Sequence, residues 1–297
     1  MNAVQQRVAV WPGIVPALMV CGAAPAFFVL ETPWLGWALL AVGLAASWWM
    51  EGGRPFSGAG ALADGIRREP SLTRDLSLIA IGLLIVSVIP LKAELDNLAM
   101  LRFTLALGGA VAVPYLVSRF VYRDRAIAFP WRTGQRWTRL QWGWLIAVLV
   151  LGWLILPFYF ITSGVYQNWP VVDTPDLMAR LFVGVGAVGI WDELFFICTV
   201  FALMRRHFPE AVSNVLQTIV FVSFLWELGY REWGPLLTIP FALLQGSIFL
   251  RTHSLSYVVT VHLLFDAVVF AVLVHAHNPA APDLPGVSTR LTTGSSR

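Results

Sequence analysis

Long apolar runs separated by short polar stretches dominate the chain. They lie near residues 10–30, 34–50, 76–91, 100–120, 141–163, 179–203, 212–230, 234–250 and 255–276. Each approaches the ~20 mostly apolar residues that cross a bilayer as a helix. The pattern predicts an all-α fold, a polytopic transmembrane helix bundle of about nine spans. Eight are possible, because the first pair and the short run at 234–250 are the weakest. The first run does not read as a signal peptide: only Arg7 precedes it, Pro12 and Pro16 fall near its start, and no clean small-residue cleavage site follows.

The polar stretches predict an orientation. With the N-terminus cytoplasmic, Arg54, Arg67, Arg68 and Arg74 fall inside, as do Arg119, Arg123, Arg125, Arg132, Arg136 and Arg139. Arg205, Arg206 and Arg251 follow them. Outer connections keep only Lys92, Arg102, Arg180, Arg231 and the tail. This is the asymmetry that sets the topology of membrane proteins, and dropping one span would scramble it downstream.

Composition supports the same picture. The chain is 58% hydrophobic and only 12% charged, about half the charge of a soluble domain; in water so apolar a surface would aggregate. Its 14 tryptophans suit headgroup boundaries. The net charge of +3 belongs to the inner loops, so no nucleic-acid partner is expected, and the lipid bilayer is. Abundant Ala, Gly, Val and Arg with a single lysine suggest a GC-rich bacterial genome and hence a multi-pass plasma-membrane protein. Cys21 and Cys198 fall in different spans and read as buried thiols.

No separate soluble domain is visible. Residues 1–140 hold four spans and the basic loops 51–75 and 121–140. The second loop mixes Phe129, Pro130, Trp131 and Trp137 with arginines, as suits anionic headgroups. Residues 141–277 hold five spans and the intramembrane ionisable groups. Residues 278–297, rich in Pro, Gly, Ser and Thr, read as a disordered tail. Gly184, Gly186 and Gly189 spell G-x-G-x-x-G, a dinucleotide fingerprint only between a strand and a helix. Inside an apolar run they read instead as sites of close helix approach.

Ionisable groups within a bilayer are costly and mark partners or function. Asp192 and Glu193 sit mid-span in GIWDELFFICTVF. Glu227 and Tyr230 lie near the outer end of the next span, in FLWELGYREWGP, and His262 and Asp266 lie in VVTVHLLFDAVVF. His262 and Asp266, four apart, share a helical face. Asp192 and Glu193 diverge by roughly 100° on an α-helix, so one can face a cavity while the other turns to a neighbouring helix. A carboxylate opposed by an imidazole in a dry cavity is equipment for deprotonating water.

These motifs resemble the CAAX prenyl protease and bacteriocin-processing (CPBP, or Abi) family of intramembrane endopeptidases. DELFFI at 192–197 resembles the family's E-E-x-x-x-R, the double arginine after that helix is typical, and HLLFD at 262–266 matches H-x-x-x-N/D. The lead-in GSIFLRTHSLSYVVTVH is also similar, and the resemblance covers roughly 179–275. Three positions depart: Asp192 replaces the first glutamate, Ile197 the arginine, and Trp226 to Tyr230 replaces F-x-x-x-H. The resemblance implies hydrolysis of hydrophobic or membrane-anchored peptide or protein substrates. Asp192 or Glu193 would activate the water, and His262 with Asp266 would stabilise the oxyanion or position the water. Tyr230 could donate a hydrogen bond but is no imidazole base. Glu227 has no counterpart; it would replace the missing polar group or simply reach the outer interface.

Other readings compete. The acids could be a satisfied structural pair, bonded to helix backbone or to Arg180. His253 reads as solvated, His275 and His277 as surface, and Trp191 and Trp226 as cavity walls. No cofactor is expected. Zinc on Asp192, Glu193, His262 and Asp266 is a minor alternative, lacking H-E-x-x-H. A catalytically inactive relative would serve as a membrane scaffold or immunity protein. A proton-coupled transporter would use the same acids as a relay. Related halves would favour it, whereas one C-terminal cavity lined by helices six, seven and nine favours the protease.

Overall fold

The computed structural model describes residues 3–53, 70–131, 134 and 136–278, with side chains from residue 12 onward. Among them all regular structure is helical. The main helices are α1 (Ala3–Phe28), α2 (Pro33–Met50), α3 (Leu72–Ser87), α4 (Asn97–Leu116), α5 (Arg139–Thr162), α6 (Pro175–Asp192), α7 (Glu210–Leu228), α8 (Pro235–Thr252) and α9 (Leu255–His277). Each of the nine apolar runs thus forms a helix. Helix α4 ends in a π-helical turn, Val117–Val121. Helix α6 continues as a π-helix, Glu193–Phe201, and closes with Ala202–Met204. Most of the expected inner loop 51–75 and nearly all of the tail 278–297 lie outside the described residues.

Among the described residues, seven helices are long and apolar enough to cross a membrane: α2, α4, α5, α6, α7, α8 and α9, with α4 and α6 counted through their π-helical continuations. The apolar part of α1, Pro12–Phe28, and the 16-residue α3 are shorter. The protein is a membrane protein. Leu105, Leu140, Leu154 and Phe158 are exposed around the bundle, a surface that lipid covers and water would not tolerate.

Local sequence explains where the helices start. Thr138 and Gln141 form a reciprocal capping box on α5. Asp96 accepts from the backbone N–H groups of Leu98 and Ala99 at the start of α4. Thr174 and Ser254 cap α6 and α9, the two helices that carry the central polar residues. Both cysteines are free and buried.

Candidate active site

Thr174 and Pro175 start α6, which reaches Asp192 as a regular α-helix and changes pitch at the next residue. From Glu193 to Phe201 the helix is π-helical. Thr199 follows that pitch, its hydroxyl donating to the Leu194 carbonyl five residues back at 3.0 Å. π-Helical turns are rare and gather at functional sites.

Both acids reach one imidazole. His262 donates its Nδ1–H to Glu193 Oε1 at 2.8 Å. On the other side of the ring, Nε2 lies 3.5 Å from Asp192 Oδ2 and 3.9 Å from Asp266 Oδ1. All four side chains are buried. Phe241 and Phe221 meet the ring edge-on, with centroids 5.1 and 6.1 Å away. The expectation that one acid would turn to a neighbouring helix holds for Glu193, which also meets α8: Gln245 Nε2 donates to Glu193 Oε1 at 2.7 Å.

Gln245 is the member of the cluster that sequence reasoning missed. Its Nε2 also donates to the Val258 carbonyl at 3.2 Å, tying α8 to α9 behind the histidine. Gln217 on α7 sits near it, donating to the Ala242 carbonyl and to Asn214. A pocket of about 10 Å³, the size of one water, lies among Glu193, Gln217 and Gln245.

On the Nε2 side lies a cavity of about 360 Å³, almost wholly apolar. Asp192, His262, Asp266 and Tyr230 supply polar groups to its wall, alongside Trp191, Phe241 and Phe265. Trp191 is fixed by donating its indole N–H to the Leu107 carbonyl at 2.7 Å. These polar groups come from α6, α9 and the turn after α7, while α7 adds Leu225 and Leu228 and α8 adds Leu237, Thr238 and Phe241. The cavity also draws on α4, through Phe103 and Leu107, although the first four helices read as featureless in sequence. Asp192 Oδ1 and Oδ2 and Asp266 Oδ2 are buried and accept no hydrogen bond from the protein.

Gly189 lies one turn before this cluster. A Cβ there would overlap the Asp266 carboxylate and lie 3.4 Å from His262 Cδ2. Close approach of α9 to α6 therefore needs that glycine, in keeping with the helix-packing reading of the glycine run. Gly184 has nothing within 4 Å and lines the cavity.

The structure brings together Asp192, Glu193, His262, Asp266 and Tyr230, but not Glu227. Glu227 is absent from the cavity lining and pairs at 3.5 Å with Arg231, which also lies 3.6 Å from Glu31. Arg180 is not the partner of the acids; it pairs with Asp176 at 2.8 Å and with Asn97 at 2.6 Å. His253 is exposed, as expected. His275 is buried rather than on the surface, because it faces the bundle one turn before the end of α9. His277 packs against Tyr166. Trp226 lies outside the cavity lining. Ile197, at the place of the expected arginine, is packed with Cys198, Phe201 and Leu255 in an apolar cluster. Among the described residues, no group of three or more His, Cys, Asp or Glu is arranged to hold a metal ion.

This geometry and the motifs on α6 and α9 agree with a comparison against known families. Residues 174–268 match the Rce1-like family of type II CAAX prenyl endopeptidases. The match runs from the cap of α6 into α9 and contains all members of the polar cluster, Gln245 included. The family is a protease family, and the Rce1-like segment coincides closely with the stretch, roughly 179–275, that resembles intramembrane endopeptidases in sequence. No curated protein and no solved structure matches the chain.

Proposed function

We propose that this protein is an intramembrane endopeptidase that hydrolyses peptide bonds in hydrophobic or membrane-anchored substrates. The observation that carries the reading is the convergence of Asp192, Asp266 and the Nε2 side of His262 on one wall of a largely apolar cavity. The Asp192 oxygens accept no hydrogen bond from the protein and are suited to accept from a water molecule.

In this mechanism Asp192 takes a proton from water as the oxygen attacks the scissile carbonyl carbon. The carbonyl oxygen becomes an oxyanion and accepts a hydrogen bond from His262 Nε2–H, while Glu193 holds the ring through Nδ1. Collapse of the intermediate breaks the C–N bond, and the proton on Asp192 passes to the departing amine. Asp266 holds the attacking water beside Asp192, and the Tyr230 hydroxyl donates to the substrate backbone. The apolar walls accept the hydrophobic side chains or lipid of the substrate and keep bulk water low.

A second reading follows from two side chains. Tyr230 stands where the family pattern has histidine, and Ile197 where it has arginine, so a relative that binds substrate without cutting it would keep the same cavity. Comparing protein termini in membranes from wild type, a deletion and a normally accumulating His262→Ala strain separates the two. Loss of the same cleaved termini in the deletion and His262→Ala supports proteolysis. A deletion phenotype absent from His262→Ala, with no change in termini, supports binding alone.

A further inference from the structure

The two ends of the bundle differ in charge. One end gathers the start of α3, the end of α4, the connection 122–138 and the turn after α6. Arg206 donates to Asp75 at 2.9 Å and to Asp124 at 2.7 Å, and His207 Nε2 lies 2.6 Å from Asp75. The Leu255 N–H donates to the Pro130 carbonyl at 2.9 Å, which places the start of α9 at this end too. Arg119, Arg123, Arg125, Arg136 and Arg205 lie there as well.

The other end gathers the connections 29–32, 88–96, 163–174 and 229–234. Asn168 donates to the Gly229 carbonyl at 3.0 Å, and Tyr159 to the Arg231 carbonyl at 2.7 Å. Of its cations, Arg180 and Arg231 are engaged by acids, and Lys92 and Arg102 are exposed. Glu94, Asp96 and Asp173 are exposed there.

The large cavity reaches this second end, and exposed Thr104, Gly108, Val183 and Ala187 also border it between α4 and α6. Lys92, Ala93, Glu94 and Leu95 border it from the α3–α4 connection, and Trp169 and Tyr230 from two others. Among the described residues, none from the arginine-rich end lines it: neither the connection 122–138, nor the turn 205–209, nor the start of α9. Arginine-rich ends of membrane proteins face the cytoplasm.

We infer that the cavity opens to the non-cytoplasmic side of the membrane and receives an apolar peptide segment presented from that side. The ion-paired arginine end closes the site towards the cytoplasm. A translocated peptide, or one anchored in the outer leaflet, reaches Asp192 and His262 directly, whereas a lipid-modified cytoplasmic protein does not. The direction of opening stands on charge and geometry alone; that the segment is cut there rests on the proteolytic reading.

Site-directed labelling of the full chain in a bacterial inner membrane tests the direction. The native thiols, Cys21 and Cys198, are buried at 0% and 1% exposure, so an introduced cysteine reports by itself. Glu94→Cys marks the mouth, Asp173→Cys the same end of the bundle, and Arg125→Cys the opposite end. A membrane-impermeant maleimide should label Glu94→Cys and Asp173→Cys fully in cells whose inner membrane is intact, and Arg125→Cys only after permeabilisation. The reverse pattern overturns the inference. A peptide with an apolar segment and a charged, impermeant tail is then added to sealed vesicles of both orientations. Cleavage only in right-side-out vesicles supports the inference, and cleavage only in inverted ones overturns it. The expected labelling without cleavage in either orientation keeps the direction and removes the protease reading.

Discussion

His262 has carboxylates on both sides of its ring, and the two sides do different work. Glu193 and Gln245 lie behind it and fix its orientation; Asp192 and Asp266 lie with it at the cavity. Gln245→Leu removes a hydrogen bond to a carboxylate, an interaction of about 1.5–3 kcal/mol. If that loss appears in the barrier, cleavage falls roughly tenfold to a hundredfold, with substrate binding little changed; steady-state kinetics check both. Gly189→Ala should lower activity as far as Asp266→Ala does, since the added methyl takes the place of the Asp266 carboxylate. Activity left intact in Gly189→Ala would mean that the position of Asp266 is not needed. The charged members of this cluster were legible in sequence because an acid or histidine stands out in an apolar run. Gln245 was not, since an uncharged amide among Leu, Gly and Ser looks ordinary. Glu227 stood out for the same reason as Asp192, but a charge near the end of a span can turn outward, and Arg231 draws it there.

At the scale of elements, each apolar run marked a helix among the described residues, and seven of these helices have the length and hydrophobicity that bilayer thickness demands. The π-helix at Glu193–Phe201 was not legible. ELFFICTVF is apolar at almost every position and carries no periodicity from which a change of pitch could be read. The contribution of α4 to the cavity was hidden for a related reason: Phe103 and Leu107 look like any span residues until α6 is placed beside them. The tie between α3 and the turn after α6 rests on Asp75, which is 2% exposed against an Arg206 side chain at 19%. Removing one partner of a buried ion pair costs about 3–5 kcal/mol. Asp75→Asn should therefore lower the thermal midpoint of the purified protein markedly in detergent. An unchanged midpoint would show that Arg206 is held adequately by Asp124 alone.

At the scale of the whole molecule, ion pairs secure one end of a helical membrane bundle, and an apolar cavity reaches from the other end to a buried acid–imidazole cluster. The family match, 174–268, contains the acid–imidazole cluster and none of the first four helices. The central claim is that this cluster activates water to cut a peptide bond. The most direct measurement uses purified protein in lipid nanodiscs, a library of apolar peptides, and water enriched in heavy oxygen, with products read by mass spectrometry. The account predicts new carboxyl termini carrying a heavy oxygen atom with the wild-type protein. It predicts their loss by roughly a hundredfold to ten-thousandfold in Asp192→Asn and His262→Ala. Equal cleavage by wild type and both variants, or no cleavage by folded wild-type protein anywhere in the library, would contradict it.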